Sequence, residues 1–315
     1  MYPEIEPFTT GTLTVGQGNT LFWEECGVPG GRPAIVLHGG PGTGCSPRMR
    51  RLFDPAAYRT VLPDQRGSGR SRPSAADPAT DLSANTTHHL VDDLEALRRH
   101  LGVERFVVLA FSWGCTLALA WAERHPGSVD AMVLSGVTTS RRSEIDWLYR
   151  GVAPLFPEAW ERFAGGVPPA ERHDLVEAYR RRLEDPDAGV RASAAEAWVD
   201  WELAVDAADG QGPRTGVWSD PGFRFGFARL VTHYFAHGAW LEEGALLRDA
   251  GRLARLPGVL VNGRLDLQAP PVTAWELSRA WPGSELILVP GAGHSPVAAG
   301  MDAAITTALD RFARR

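Results

Sequence analysis

The stretch that most constrains the fold is Phe106-Val-Val-Leu-Ala-Phe-Ser-Trp-Gly-Cys-Thr-Leu-Ala-Leu-Ala-Trp-Ala122. Its first six residues are apolar without alternation, the pattern of a short strand buried on both faces. From Trp113 to about Arg124 the chain is rich in Ala and Leu and reads as a helix, which His125-Pro126 stops. Ser112 lies between the two, with Gly114 two residues on. A serine on a sharp strand-to-helix turn has the form of a nucleophile elbow. The turn lifts the hydroxyl above the sheet and sets it at the positive end of the helix. Small flanking residues are needed because strand and helix nearly collide there. The usual pattern is Gly-x-Ser-x-Gly; here Ala110 takes the first glycine position. Five residues alone also fit an ordinary buried serine at a strand end, so the other elements must decide.

The 315 residues are 44% apolar, ample for a sizeable core, and the net charge of −6 gives no reason to expect nucleic acid or an anionic membrane as partner. No apolar run approaches the roughly 18 residues needed to span a bilayer. The opening residues, Met1 to Phe8, lack the basic-then-apolar pattern of a secretory signal. Cys26, Cys45 and Cys115 are odd in number and widely spaced, as expected of free thiols in a reducing cytoplasm. Every basic residue is an arginine, which excludes a lysine Schiff base or a lysine general base.

Thr12–Val15 and Leu21–Glu25 read as an antiparallel hairpin across Gly16-Gln-Gly-Asn19. Strands follow at Ala34–Leu37, Tyr58–Pro63 and Ala131–Leu134, and Asn85-Thr-Thr87 caps a helix running to Leu101. This alternation predicts a parallel sheet covered by helices on both faces. From about Thr139 to Gly238 it gives way to helical runs (Pro169–Leu183, Ala188–Ala208) and five tryptophans, and then strands return at Gly258–Val261 and Leu286–Val289. The organisation expected is one α/β domain, 1–138 and 239–315, interrupted by a helical insertion, 139–238. Inserts of that length are usually lids or substrate domains.

His38-Gly-Gly-Pro-Gly-Thr-Gly44 follows a strand but has no Gly-Lys-Ser/Thr, and Pro41 removes an amide that a phosphate cradle would use. A loop whose backbone N–H groups face an oxyanion is the better reading. Gly39 or Gly40 would then act with the N–H of Trp113. A serine nucleophile needs a base and a carboxylate that orients it, in the chain order serine, acid, histidine. The loops after the two returning strands offer Asp266 and His294, the latter flanked by glycines. His233 and His237 have the i, i+4 spacing of a zinc pair, but Tyr234 stands where a metalloprotease needs Glu, and no third ligand is evident. Asp64 precedes the serine in a Gly/Arg-rich turn and reads as structural, paired to Arg66 or Arg70.

Taken together, His38-Gly-Gly-Pro-Gly42, Asp64-Gln-Arg-Gly-Ser-Gly-Arg-Ser71, Asn85-Thr-Thr87, Ser112-Trp-Gly114, Gly263-Arg-Leu-Asp266, Gly291-Ala-Gly-His294, Ala197-Trp-Val-Asp-Trp-Glu202 and Ala228-Arg-Leu-Val-Thr-His-Tyr-Phe235 resemble the proline iminopeptidases over nearly the whole chain. The resemblance implies an α/β-hydrolase core with a mostly parallel sheet and an inserted all-helical cap. It implies no metal and no cofactor, a small-molecule or short-peptide substrate, and release of an N-terminal proline through an acyl-enzyme. It also implies that Glu202 is one of two cap glutamates holding the substrate ammonium; as a cap over the Ser112 cleft, the insertion is expected to wall the pocket with Trp147, Tyr149 and Phe235. The departures are specific. Phe111 puts a ring beside Ser112 where the family has glycine, and Val231 falls where the family's second glutamate is expected. An apolar Val231 favours a neutral group at that spot. Two readings therefore stand: a prolyl aminopeptidase, with Asp200, Asp206 or Asp209 replacing the lost carboxylate, or the same triad acting on a neutral ester, thioester or amide.

Overall fold

The computed structural model describes residues 1–207, 216–298 and 300–314. Its centre is an eight-stranded sheet of order β1-β2-β4-β3-β5-β6-β7-β8. β1 (Thr9–Gly16) and β2 (Asn19–Gly27) form the expected antiparallel hairpin, and β2 also runs antiparallel to β4 (Tyr58–Pro63). β3 (Arg32–Leu37), β5 (Phe106–Phe111), β6 (Val129–Ser135), β7 (Gly258–Gly263) and β8 (Ser284–Val289) continue it in parallel.

The unbroken apolar run of β5 is explained by its two faces. Phe106, Val108 and Ala110 join the core under the helices Thr87–His100 and Trp113–Arg124, while Val107, Leu109 and Phe111 join the core under Met301–Ala313. With both faces covered, a polar residue anywhere along this strand would be stranded without water.

Between β6 and β7 the described residues contain helices and no strand. The main ones are Pro157–Gly165, Leu175–Leu183, Ala188–Asp206 and Pro221–Ala236. The run expected from Pro169 breaks into a 3₁₀ turn, Pro169–Glu171, and the helix Leu175–Leu183. The break is set by Asp174, whose carboxylate accepts the N–H of Glu177 and so starts the helix anew.

This segment is tied to the sheet at a few buried points. Arg229 pairs with Glu184 and donates to the carbonyls of Ala75, Asp77 and Thr80. The Tyr234 hydroxyl donates to Asn85 Oδ1 at 2.5 Å, and its ring meets Trp113 edge-on at 4.6 Å between centroids. Thr86 caps the helix Thr87–His100, and Thr87 donates to the carbonyl of Ala239. The Asn85-Thr-Thr87 motif thus starts one helix and docks another.

Asp64 pairs with Arg70 and also accepts the backbone N–H groups of Cys45 and Arg70, while Arg66 pairs with the buried Asp93. Asp64 is thereby committed to holding its loop. His233 and His237 turn their ring nitrogens to the carbonyls of Asn85 and His233, beside Trp240.

Gly114 marks the tightest crossing. A Cβ there would lie 2.3 Å from the carbonyl oxygen of Leu37 and 2.9 Å from that of His38. In an open helix, Gly→Ala gains about 1 kcal/mol. Here both obstacles are backbone and cannot swing aside, so Gly114→Ala is expected to destabilise by about 1–3 kcal/mol, the usual cost of overpacking. Urea unfolding gives the sign, and a stabilised variant would refute the close contact.

Candidate active site

The site is built where β3, β5, β6, β7 and β8 end. Ser112 takes φ 51° and ψ −122°, a strained conformation for a residue with a side chain. It is held there from both sides: its N–H donates to the carbonyl of Ser135 at 2.9 Å, and its own carbonyl accepts Cys115 N–H at 2.7 Å. Trp113 opens the following helix, where the first N–H groups lack intrahelical acceptors. Gly39 packs against the elbow, the position of its absent Cβ being 3.2 Å from Ser112 Cβ.

His294 stands on the loop after β8, and Asp266 on the loop after β7. Nδ1 of His294 lies 2.8 Å from Oδ2 and 3.0 Å from Oδ1 of Asp266. The buried carboxylate also accepts N–H groups from Gln268 (3.0 Å) and Ala269 (2.7 Å), which fix its plane. A carboxylate can only accept, so Nδ1 carries a proton and Nε2 is the ring nitrogen left to exchange one. The imidazole packs on Gly136, directly after the residue that accepts Ser112 N–H; a Cβ on Gly136 would lie 2.9 Å from His294 Cε1. This crowding explains a glycine at the end of β6.

Ser112 and His294 open into one cavity of about 260 Å³ between the sheet edge and the inserted helices. Gly39, Gly40, Trp113 and Phe111 line it on the sheet side, and Tyr149, Glu202 and Phe235 on the helical side. Tyr149 donates its hydroxyl to Glu202 Oε1, and Gln268 donates to the same residue's backbone oxygen at 3.0 Å. Burial first, and the neighbouring Glu202 carboxylate second, push the Tyr149 phenol well above its ordinary range, so it remains a donor.

Two expected pocket residues are absent from the lining. Trp147 turns its indole N–H to the carbonyl of Leu267 at 2.9 Å, which directs the ring to the seam with the β7 loop. Val231 is fully buried yet does not line the cavity. It lies one helical turn from Phe227 on one side and from Phe235 on the other, both of which do line it. Phe235 lines the cavity as expected, and Phe223 and Phe227, joined by Trp218, extend it into an apolar wall whose two further phenylalanines the sequence reading passed over. Its signal was the four-residue spacing within Pro221–Ala236. Trp198 and Trp201, by contrast, sit in the core of the helical segment itself.

Of the carboxylates named as substitutes for the missing glutamate, Asp206 lines the cavity one helical turn beyond Glu202. Asp200 is outside it and pairs with Arg224, and Asp209 lies outside the described residues. Glu144 also reaches the cavity, but its oxygens are taken by Thr138, Thr139, Ser140 and Arg141. Among the described residues no helix is long and apolar enough to cross a membrane.

A strand-turn-helix serine after β5 and a paired aspartate and histidine on the loops after β7 and β8 define an α/β-hydrolase, and residues 33–298 match the family model for the alpha/beta hydrolase fold. Sequence relatives are more specific. A probable proline iminopeptidase of Streptomyces coelicolor is 51% identical over 320 residues, covering 100% of this chain and 98% of the relative. A proline iminopeptidase of Xylella fastidiosa is 46% identical over 314 residues, covering 99% of each. The chain belongs to the proline iminopeptidase family. In fold alone it also resembles the crystal structure of a proline iminopeptidase from Mycobacterium smegmatis, with a TM-score of 0.63 and 20% identity, covering 97% of this chain and 99% of that chain.

Proposed function

We propose that this protein is a serine hydrolase that releases an N-terminal proline from a short peptide or amide through an acyl-enzyme. Ser112 is the nucleophile, His294 the base and Asp266 its orienter. The hydroxyl of Ser112 attacks the carbonyl carbon of the terminal residue while His294 Nε2 takes its proton. The N–H groups of Trp113 and of Gly39 or Gly40 hold the oxyanion that forms. Collapse of the tetrahedral species breaks the C–N bond, and His294 returns the proton to the leaving amine. Water then repeats the sequence on the acyl-enzyme and frees proline.

The observation that carries this reading is the charge of the cavity. Its sheet side presents Ser112 and His294, while its helical side presents Glu202 and Asp206, one turn apart on Ala188–Asp206. A substrate ammonium entering an apolar, phenylalanine-walled space loses hydration worth several kcal/mol unless carboxylates replace it. Glu202 and Asp206 are the anchors in this reading, and Asp206 takes over the task that the family assigns to the position of Val231. A neutral ester would gain nothing from either. Residues 139–238 act as the cap that closes this space. The free thiols of Cys26, Cys45 and Cys115 fit a cytoplasmic setting.

Two measurements test the reading. Ser112→Ala should lower turnover of proline 2-naphthylamide by about 10⁶-fold and Asp266→Asn by about 10⁴-fold, because the amide stabilises the wrong imidazole tautomer. A Ser112→Ala enzyme that keeps a tenth of its activity ends the assignment.

For the anchors, Glu202→Gln and Asp206→Asn should each lower kcat/KM on proline 2-naphthylamide by about tenfold to a hundredfold, the value of one charged hydrogen bond. The fall on p-nitrophenyl acetate should be far smaller. If N-acylated proline amides turn over faster than free ones, and neither substitution discriminates, the substrate is a neutral acyl compound.

A further inference from the structure

The two sides of the oxyanion site belong to different loops, one after β3 and one after β5, and a single side chain from a third loop joins them. Gln65 follows β4 and is 5% exposed. Its Nε2 donates to the carbonyl of His38 at 2.9 Å, and its Oε1 accepts the indole N–H of Trp113 at 3.0 Å. Its backbone N–H donates to His38 Nε2 at 3.0 Å, and Ser68 Oγ, 3.2 Å from the same nitrogen, donates to the Gln65 carbonyl at 2.8 Å. β3 lies between β4 and β5 in the sheet, so the Gln65 amide spans the end of β3 from one neighbour to the other.

The chemistry of the partners fixes how this amide lies. An indole N–H can only donate and a carbonyl can only accept, so Oε1 must face Trp113 and Nε2 must face His38. The same logic sets the His38 tautomer. With Nε2 accepting from Gln65, Nδ1 carries the proton and faces the carbonyl of Gly39 at 3.0 Å. Burial holds this imidazole below its ordinary range, so it stays neutral and the arrangement persists.

We infer that Gln65 is a positioning residue for the oxyanion hole: it locks the glycine loop that begins at His38 to the helix start at Trp113, and so fixes the distance between N–H donors supplied by two separate loops. This inference rests on the assignment of Gly39 or Gly40 and Trp113 as those donors. Stabilisation of an oxyanion needs donors about 2.7–3.1 Å from where the charge develops, so a small drift between the loops weakens the transition state while leaving the ground state almost untouched.

The test compares Gln65→Met, which keeps the length and removes both bonds, with Gln65→Glu, which keeps the acceptor for Trp113 but sets a carboxylate against the carbonyl of His38. Rates are measured on proline 2-naphthylamide and p-nitrophenyl acetate, per site titrated with a fluorophosphonate. Both variants should lose about tenfold to a hundredfold in kcat, less than loss of a whole donor, with KM within about threefold of wild type. Affinity for a proline boronic acid, which forms a tetrahedral adduct on the serine, should fall by the same factor, and affinity for free proline should not change.

A merely structural role would lower the titrated fraction and leave the rate per site intact, and that result overturns the inference. So does a parallel fall in kcat, boronate affinity and proline affinity. If the Gln65 variants do not fold, Trp113→Phe removes the other bond and should lower kcat per site by about threefold to tenfold; an unchanged rate refutes the inference. Failure of the aminopeptidase reading shows separately, as wild-type inactivity on the proline amide, and the ester then still tests Gln65.

Discussion

The near-collision of β5, its following helix and the end of β3 is the constraint on which the rest depends. A helix can start one residue beyond a buried strand only if the connecting residue abandons ordinary backbone angles, and Ser112 does so. The strain is held by bonds to neighbouring strands, to Ser135 on one side, and by the absence of a side chain at Gly114 on the other. The Ser112 hydroxyl therefore stands on a point of the sheet that is braced from both sides. The surrounding bonds keep that strained turn from relaxing, and Ser112 stays at the cavity lining.

The inserted helices complete the chemistry by supplying what a sheet edge cannot: apolar walls and buried carboxylates. Their aromatic residues divide by position. Trp198, Trp201, Phe163 and Tyr179 stack on one another and stiffen the segment, while Trp218, Phe223 and Phe227 face the cavity. A stiff interior lets the long helix Ala188–Asp206 hold Glu202 and Asp206 at a fixed separation. Tyr149 and Gln268, which line the same cavity, hold Glu202 through its carboxylate and its backbone carbonyl.

Much of this was legible in the residues because it is local. The run Phe106–Phe111, the Ala-rich helix after it and the glycines around His294 are signals within ten or so residues, and the strands and loops they predict are those observed. What failed was side-chain reach. Val231 looked decisive because of what it replaces, yet it is buried outside the cavity that the phenylalanines a turn to either side line. Trp147 looked like a pocket wall, but the carbonyl of Leu267, 120 residues on, draws it elsewhere. Gln65 stood out only as one letter of the Asp64–Ser71 motif, since its meaning depends on a sheet order, β4-β3-β5, that departs from the order of the strands along the chain. Helical periodicity singles out Asp206 over Asp200 relative to Glu202, but only the cavity shows that this face is the one that matters.

The seat of Arg229 has a consequence of its own. It fastens the helix Pro221–Ala236 to three carbonyls of the loop between β4 and the helix Thr87–His100, and the residue is almost wholly buried. A guanidinium keeps its proton across any pH a living cell meets, unlike a lysine or histidine in the same place. This fastening therefore has no acid-operated release.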